Sequence, residues 1–220
     1  MNQEALLFCA SNISKKEVAG KRIFEVGSRK SENKKYSGTI RPYIESLDPE
    51  EYVGIDKVDG KNVDKLCSAE NIVDVFGKNS FDFLIATEVL EHIRNWKKAI
   101  SNFKRVLKPK GSLIVTTRSR GFSYHPFPED FWRFGKRDMK NIFEDMEILS
   151  LEDDKQYPGV FLKAKKPEEF EEMNLNDQSA YCVITGMREK SIGGFSLNSP
   201  RHKILKLKFI ISDYLLRKFL

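Results

Sequence analysis

Residues 81–111, FDFLIATEVLEHIRNWKKAISNFKRVLKPKG, decide the fold. Phe81 to Thr87 is a near-continuous apolar run, the pattern of a strand covered on both faces in a parallel sheet. Trp96, Ala99, Ile100, Phe103, Val106 and Leu107 then recur at spacings of three and four, which draws one apolar stripe along a helix. Lys108-Pro109-Lys110-Gly111 stops that helix, because proline cannot continue the hydrogen-bond ladder and glycine accepts the backbone angles of a tight turn. Ser112 to Thr117 is a second apolar strand. A strand, a helix and a strand at this spacing form a right-handed parallel crossover.

The same alternation extends in both directions. Arg22 to Val26 and Tyr52 to Ile55 read as strands ending at Gly27-Ser28 and at Asp56, with a helix over Ile40 to Leu47 between them. Lys136 to Phe143 reads as a helix, and Glu147 to Glu152 and Val160 to Ala164 as strands. Beyond Lys165 the alternation ends. Repeated crossovers give a doubly wound α/β sheet, in which ligands bind outside the carboxyl ends of the strands.

Those strand ends carry the candidate chemistry. Gly27 lacks a side chain where a ligand could approach the backbone, and Asp56 stands where a carboxylate can accept both hydroxyls of a ribose. Neither a G-x-G-x-x-G nor a G-K-[ST] phosphate loop is present, which favours a sulfonium nucleoside over a dinucleotide and argues against a nicotinamide-dependent oxidoreductase.

The stretch FDFLIATEVLEHIRNWKKAISNFKRVLKPKG resembles the post-strand motifs of type-11, class I S-adenosylmethionine-dependent methyltransferases, with V-L-E-H followed by R-V-L-K-P-G-G. The resemblance runs from about Arg22 to Lys166. Gly27-Ser28-Arg29, Gly38-Thr39-Ile40-Arg41-Pro42, Val63-Asp64, Ser68-Ala69-Glu70-Asn71-Ile72 and His125 to Phe134 (HPFPEDFWRF) are similar to a subgroup with an H-x-x-P-x-D-[YF]-W-R-F segment. It implies a Rossmann-like, mostly parallel seven-stranded sheet with a C-terminal helical extension, and S-adenosylmethionine as cofactor. It further implies that Glu25, Gly27 and Ser28 lie along the methionine part, Asp56 holds the ribose, Ser68 and Ala69 border the adenine, and Thr87, Glu88 and His92 face the methyl-transfer cleft. Ser68 in place of an aspartate, Lys110 in place of a glycine and an insertion over Ser31 to Ser37 depart from the pattern, and bear on cofactor affinity more than on fold.

Gly121 to Phe134 (GFSYHPFPEDFWRF) gathers aromatics, prolines, His125, Asp130 and Arg133 after a sheet strand. It reads either as a lid with His125 and Asp130 lining an acceptor site, or as a plug in which Trp132 and Phe134 fill the core while Asp130 and Arg133 pair locally. Methyl transfer is an in-line displacement, so alignment and water exclusion dominate. For a hydroxyl acceptor, His92 or His125 is the candidate base.

The expected domains are 1–166, holding the cofactor, and 167–220, an extension with a basic amphipathic helix at about 200–220. Arg201 to Leu220 carries six basic residues against Asp213, +5 of the chain's +6 net charge, so the remainder is close to neutral and no broad nucleic-acid-binding face is expected. That helix sets Lys203, Lys206, Asp213 and Arg217 on one stripe, with Leu205, Phe209, Ile211, Leu215, Leu216 and Leu220 across the rest. Its expected partner is its own domain or a second copy, with an anionic membrane as the rival. No run approaches the roughly 20 apolar residues of a bilayer span. The N-terminus lacks the basic region of a secretory signal, so a cytoplasmic protein is expected, peripheral to the inner membrane face if the helix meets lipid. Cys9, Cys67 and Cys182 show neither disulfide-framework nor zinc spacing, and no metal ligand set is read. The expected activity is methyl transfer to a small-molecule, sugar or lipid-linked acceptor. The alternative is a non-catalytic binding or scaffolding module on the same fold.

Overall fold

The computed structural model describes residues 2–30, 38–126 and 129–218. Its centre is a pair of strands, β1 (Arg22–Val26) and β4 (Phe81–Thr87), joined in parallel. On one side β1 pairs with β2 (Glu51–Asp56), which pairs with the short β3 (Lys65–Leu66). On the other, β4 pairs with β5 (Leu107–Arg118). β8 (Gly159–Lys165) runs antiparallel to β5, and β7 (Glu147–Asp153) antiparallel to β8. The seven-stranded order is therefore β3-β2-β1-β4-β5-β8-β7, reversing between β1 and β4, with one strand against the rest. This is the mostly parallel, doubly wound sheet expected from residues 81–111.

Period-two alternation divides the strands between two apolar layers. Ile23, Phe83, Ile85 and Ile114 face a layer with Ala5, Phe8 and Cys9 of α1 (Gln3–Asn12). Phe24, Leu84, Ala86, Leu113 and Val115 face the opposite layer. There α5 (Trp96–Val106) lays down Trp96, Ala99, Ile100, Phe103 and Val106, none more than 1% exposed. α3 (Arg41–Glu45) and α6 (Lys136–Ile142) lie inside the helical stretches read from sequence. α2 (Lys15–Val18) and α4 (Ile72–Phe76) complete the elements preceding β4.

The Lys108–Gly111 turn differs from its reading. β5 begins directly at Leu107, and the extra residues are absorbed as a register shift opposite Phe81–Phe83. A Cβ on Gly111 would lie 2.9 Å from the Lys108 carbonyl oxygen and 3.0 Å from that of Asp82, so only glycine fits.

The segment after Lys165 folds back onto the main domain. β9 (Ala180–Cys182) pairs with β10 (Arg188–Glu189) and with β6 (Trp132–Arg133) in a second, three-stranded sheet. Leu175, Ile184 and Ile192 join the main core. The chain then passes through α7 (Gly194–Leu197) into α8 (Pro200–Lys218). Cys9, Cys67 and Cys182 are buried free thiols.

A buried ion pair ties this extension to the sheet. Lys104 Nζ donates to the Ile142 carbonyl at 2.7 Å and meets Asp145 at 2.7 Å, while Asp145 also accepts the Met173 N–H at 2.9 Å. Burial holds the Lys104 ammonium below its ordinary pKa against the pull of Asp145. Removing one member leaves the other charge uncompensated out of water, which costs about 3–5 kcal/mol. Lys104→Met is therefore expected to lower the unfolding free energy by about that much, read from urea denaturation; a loss under about 1 kcal/mol contradicts the pairing.

Candidate active site

The sequence-predicted residues gather at the carboxyl ends of β1, β2, β4 and β5. Glu25 and Val26 lie level with Gly54 and Ile55 of β2, which brings the Gly27-Ser28 turn beside Asp56. Glu25 is 3% exposed and accepts a 2.6 Å hydrogen bond from the Tyr52 hydroxyl. Burial pushes its carboxyl up to about 7 despite that bond. Ser28 is buried too, and its Oγ has no hydrogen-bond partner among the described residues. Asp56 Oδ1 accepts the Val58 N–H at 3.0 Å, so the candidate ribose carboxylate also caps its own turn.

Gly27 corrects one expectation. It sits at φ +76°, where glycine is favoured, but the space left by its missing side chain is taken by Val89, whose Cγ2 would lie 2.8 Å from an added Cβ. Both the Gly27 and Ser28 N–H groups donate to the Ile55 carbonyl, at 2.9 and 3.0 Å. The turn is thus a packing solution between β1, β2 and the loop after β4.

On the adenine side, Ser68 precedes a 3-10 turn over Ala69–Asn71 and accepts the Glu70 N–H at 3.3 Å. The Ala69 carbonyl receives Asn102 Nδ2 at 2.9 Å. An open cleft of about 520 Å³, bordered by Glu70, Arg94, Asn95, Lys97, Lys190 and Ile192, touches the candidate site only through Glu70.

The loop after β4 is charged and enclosed. Thr87 is buried, and Glu88 follows at φ +56°. The Glu88 N–H bonds to the Thr116 carbonyl at 2.9 Å, its Oε1 accepts the Thr116 hydroxyl at 3.0 Å, and Oε2 pairs with Arg118. Arg118 also meets Asp154 at 3.0 Å. Glu91, 0% exposed, accepts the Thr117 hydroxyl at 2.9 Å. Burial and the neighbouring Glu91 charge hold Glu88 above the carboxylate range; Glu91, against its burial, is held below it by His125 and His92.

His92 and His125, 33 residues apart in the chain, meet edge to face with ring centroids 4.9 Å apart. His92 Nδ1 is bonded to the Glu129 carbonyl, which turns Nε2 toward Glu91 at 3.9 Å. His125 Nδ1 lies 3.0 Å from Asp130, with Nε2 3.8 Å from Glu91. Burial holds His92 below its ordinary value, whereas Asp130 and Glu91 outweigh burial at His125 and push it up to about 9.

Asp130 does not line an open acceptor site. It is 0% exposed and gripped by Arg133 through two bonds of 2.5 and 2.7 Å, while Trp132 and Phe134 are fully buried. For these four residues the plug reading holds. His125 keeps the lid character, with 23% of its side chain exposed. Glu91 and Arg118 escaped the sequence reading. Glu91 was in plain view inside V-L-E-H, whereas nothing in the sequence marks Arg118.

A doubly wound sheet of this order, with acids at the ends of β1 and β2 and a buried charged loop after β4, defines the class I methyltransferase fold. Residues 44–115, about a third of the chain, match the family described as Methyltransferase domain. The mouse mitochondrial ubiquinone biosynthesis O-methyltransferase is 31% identical over 117 residues, 49% of this chain and 31% of that protein; the chain thus matches about a third of that relative's length. A Burkholderia thailandensis 1,6-didemethyltoxoflavin-N1-methyltransferase, solved with S-adenosylhomocysteine, superposes at a TM-score of 0.56 with 9% identity over 74% of this chain and 78% of its own. The [4+2]-cyclase SpnF superposes at 0.58 with 17% identity over 76% and 81%. These superpositions establish fold alone.

The Glu25 carboxyl generates a pH prediction. Its folded pKa of about 7 exceeds the ordinary value of 4.5, so its contribution to stability is present below 4.5 and is lost as pH rises through 7. Glu25→Gln is expected to flatten the fall in unfolding free energy between pH 5 and 7.5, measured by urea denaturation at both; slopes equal to wild type contradict the assignment.

Proposed function

We propose that the chain is an S-adenosylmethionine-dependent methyltransferase acting on a small-molecule, sugar or lipid-linked acceptor. The observation that carries this is the coincidence of the Methyltransferase domain match, residues 44–115, with the sheet edge where Asp56, Glu88 and His92 stand. The residues fit the cofactor chemically. Ser28 offers a buried hydroxyl without a hydrogen-bond partner among the described residues, and Glu25 a buried carboxyl that an ammonium group would return to its charged form. Asp56 would hold the ribose, the loop at Ser68 and Ala69 would border the adenine, and Gly27, Thr87 and Glu88 would flank the methionine part. S-adenosylmethionine supplies, when bound, an electrophilic methyl group on a sulfonium.

This chain's own contribution is placement and exclusion of water. Val89 has to leave the space over Gly27 for a ligand to lie along that turn. His92, in the loop after β4 with Nδ1 tied to the Glu129 carbonyl, leaves Nε2 as the base for a hydroxyl acceptor when no cation occupies that nitrogen. Asp130 acts through His125 as a positioning residue. Residues 1–166 form the cofactor-binding domain in this reading, and 167–220 an extension that closes its acceptor side. Asp56→Ala is expected to weaken S-adenosylhomocysteine binding, measured by calorimetry, by about 1.5–3 kcal/mol, the worth of hydrogen bonds to a charged acceptor; an unchanged Kd removes Asp56 from the site.

The last helix supports a peripheral location. No helix among the described residues is long and apolar enough to cross a membrane. α8 docks on the lid through His202 and Phe209, which stack edge-on against Tyr124. Its other face exposes Ile204, Leu207, Ile210, Ile211 and Tyr214, 49–62% accessible, flanked by exposed Lys203 and Lys208. An apolar stripe edged with lysines is complementary to an anionic lipid surface, and we assign it to the inner membrane face. Vesicles of phosphatidylglycerol, but not of phosphatidylcholine, are expected to sediment the chain, and Leu207→Asp with Ile211→Asp to abolish this. A concentration-dependent dimer without vesicle binding overturns the assignment in favour of a second copy.

A further inference from the structure

The loop after β4 and the lid together bury four acids within reach of one another. Glu88, Glu91, Asp130 and Asp154 face two guanidiniums, Arg118 and Arg133. Glu91 itself has imidazoles and no guanidinium for neighbours. Its Oε2 takes the Thr117 hydroxyl, but Oε1, fully out of solvent, has no hydrogen-bond partner among the described residues. The Nε2 atoms of His92 and His125 both lie near Oε1, at 3.9 and 3.8 Å, too far for hydrogen bonds. The three ligand atoms all fall within 4.8 Å of one another. A tetrahedral cation about 2.1 Å from each donor holds its donors roughly 3.4 Å apart, so all three separations must shorten, which an inward turn of the partly exposed His125 ring toward Glu91 and His92 would do.

The outer hydrogen bonds match as well. Metal-bound imidazoles donate their second N–H to a carboxylate or a backbone carbonyl, which fixes tautomer and ring direction. His125 Nδ1 is held by Asp130, itself clamped by Arg133, and His92 Nδ1 by the Glu129 carbonyl. Both rings therefore present Nε2 to the same point beside Glu91.

We propose that Glu91 Oε1, His92 Nε2 and His125 Nε2 bind a divalent transition-metal ion of the zinc type, leaving open a coordination position for water or an acceptor oxygen. Two imidazoles and one carboxylate with an open position suit such an ion and disfavour magnesium, which prefers oxygen donors. A hydroxyl bound there loses its proton to water at a lower pH than when free. The site thereby suits an oxygen acceptor. That role rests on the methyltransferase reading; the binding itself does not.

The test uses the full chain after EDTA treatment, titrated with Zn²⁺ by calorimetry and with Co²⁺ by visible absorption. One equivalent is expected to bind with the intense bands of a four- or five-coordinate cobalt ion, and Mg²⁺ not to compete. His125→Ala is expected to weaken Zn²⁺ binding at least 100-fold and Asp130→Asn about 10- to 100-fold, the range for outer-shell partners. In the wild-type chain, nitrogen NMR of the imidazoles is expected to show Zn²⁺ shifting the Nε2 signals of two rings, which needs no variant to fold. No saturable Zn²⁺ binding, or binding that leaves both Nε2 signals and the His125→Ala affinity unchanged, overturns the site. S-adenosylhomocysteine affinity measured on the same samples separates the two ideas: its retention beside lost metal binding leaves the methyltransferase reading standing, and the converse leaves the metal site standing.

Discussion

Pairing between β4 and β5 sets everything at the candidate site, because it brings two adjacent hydroxyls under two carboxylates. Thr87 lies level with Thr116, so Thr116 reaches Glu88 while Thr117, pointing to the other face, reaches Glu91. A slip of one residue would exchange those faces and leave both acids buried without their hydroxyls. The apolar alternation of Phe83 to Ala86 against Leu113 to Val115 forbids that slip, since it would also turn each core side chain into the wrong layer. Strand packing thus fixes the positions of charges that would be expensive to bury on their own.

From that edge a continuous set of contacts leads to the C-terminal helix. His92 is tied to the Glu129 carbonyl, and the Glu129 side chain meets Lys206 of α8 at 3.3 Å. Tyr124 bonds to His202 at 3.1 Å. A change in where α8 rests therefore acts directly on the lid that carries His125.

Much of the sheet is legible in sequence because β1, β2, β4, β5 and β8 are short apolar runs ending at turn residues. The antiparallel course of β8 is not, since a strand buried on both faces reads alike in either direction. β6, β9 and β10 are two or three residues each and carry no period to detect. The insertion at Ser31–Ser37, with Phe127, Pro128, Phe219 and Leu220, lies outside the described residues. Within the site, Asp56 and Glu88 follow from strand ends. The meeting of His92 with His125 depends on tertiary folding of the lid, and Asp130 looks like a surface acid until Arg133 is seen to bury it.

The most direct measurement is a crystal structure of the chain with S-adenosylhomocysteine. The account predicts the nucleoside along Gly27 and Asp56, Val89 displaced from above Gly27, and the sulfur turned toward Glu88 and His92. A nucleoside seated instead in the cleft between Glu70 and Arg94, or Val89 unmoved with no ligand at the sheet edge, would contradict it.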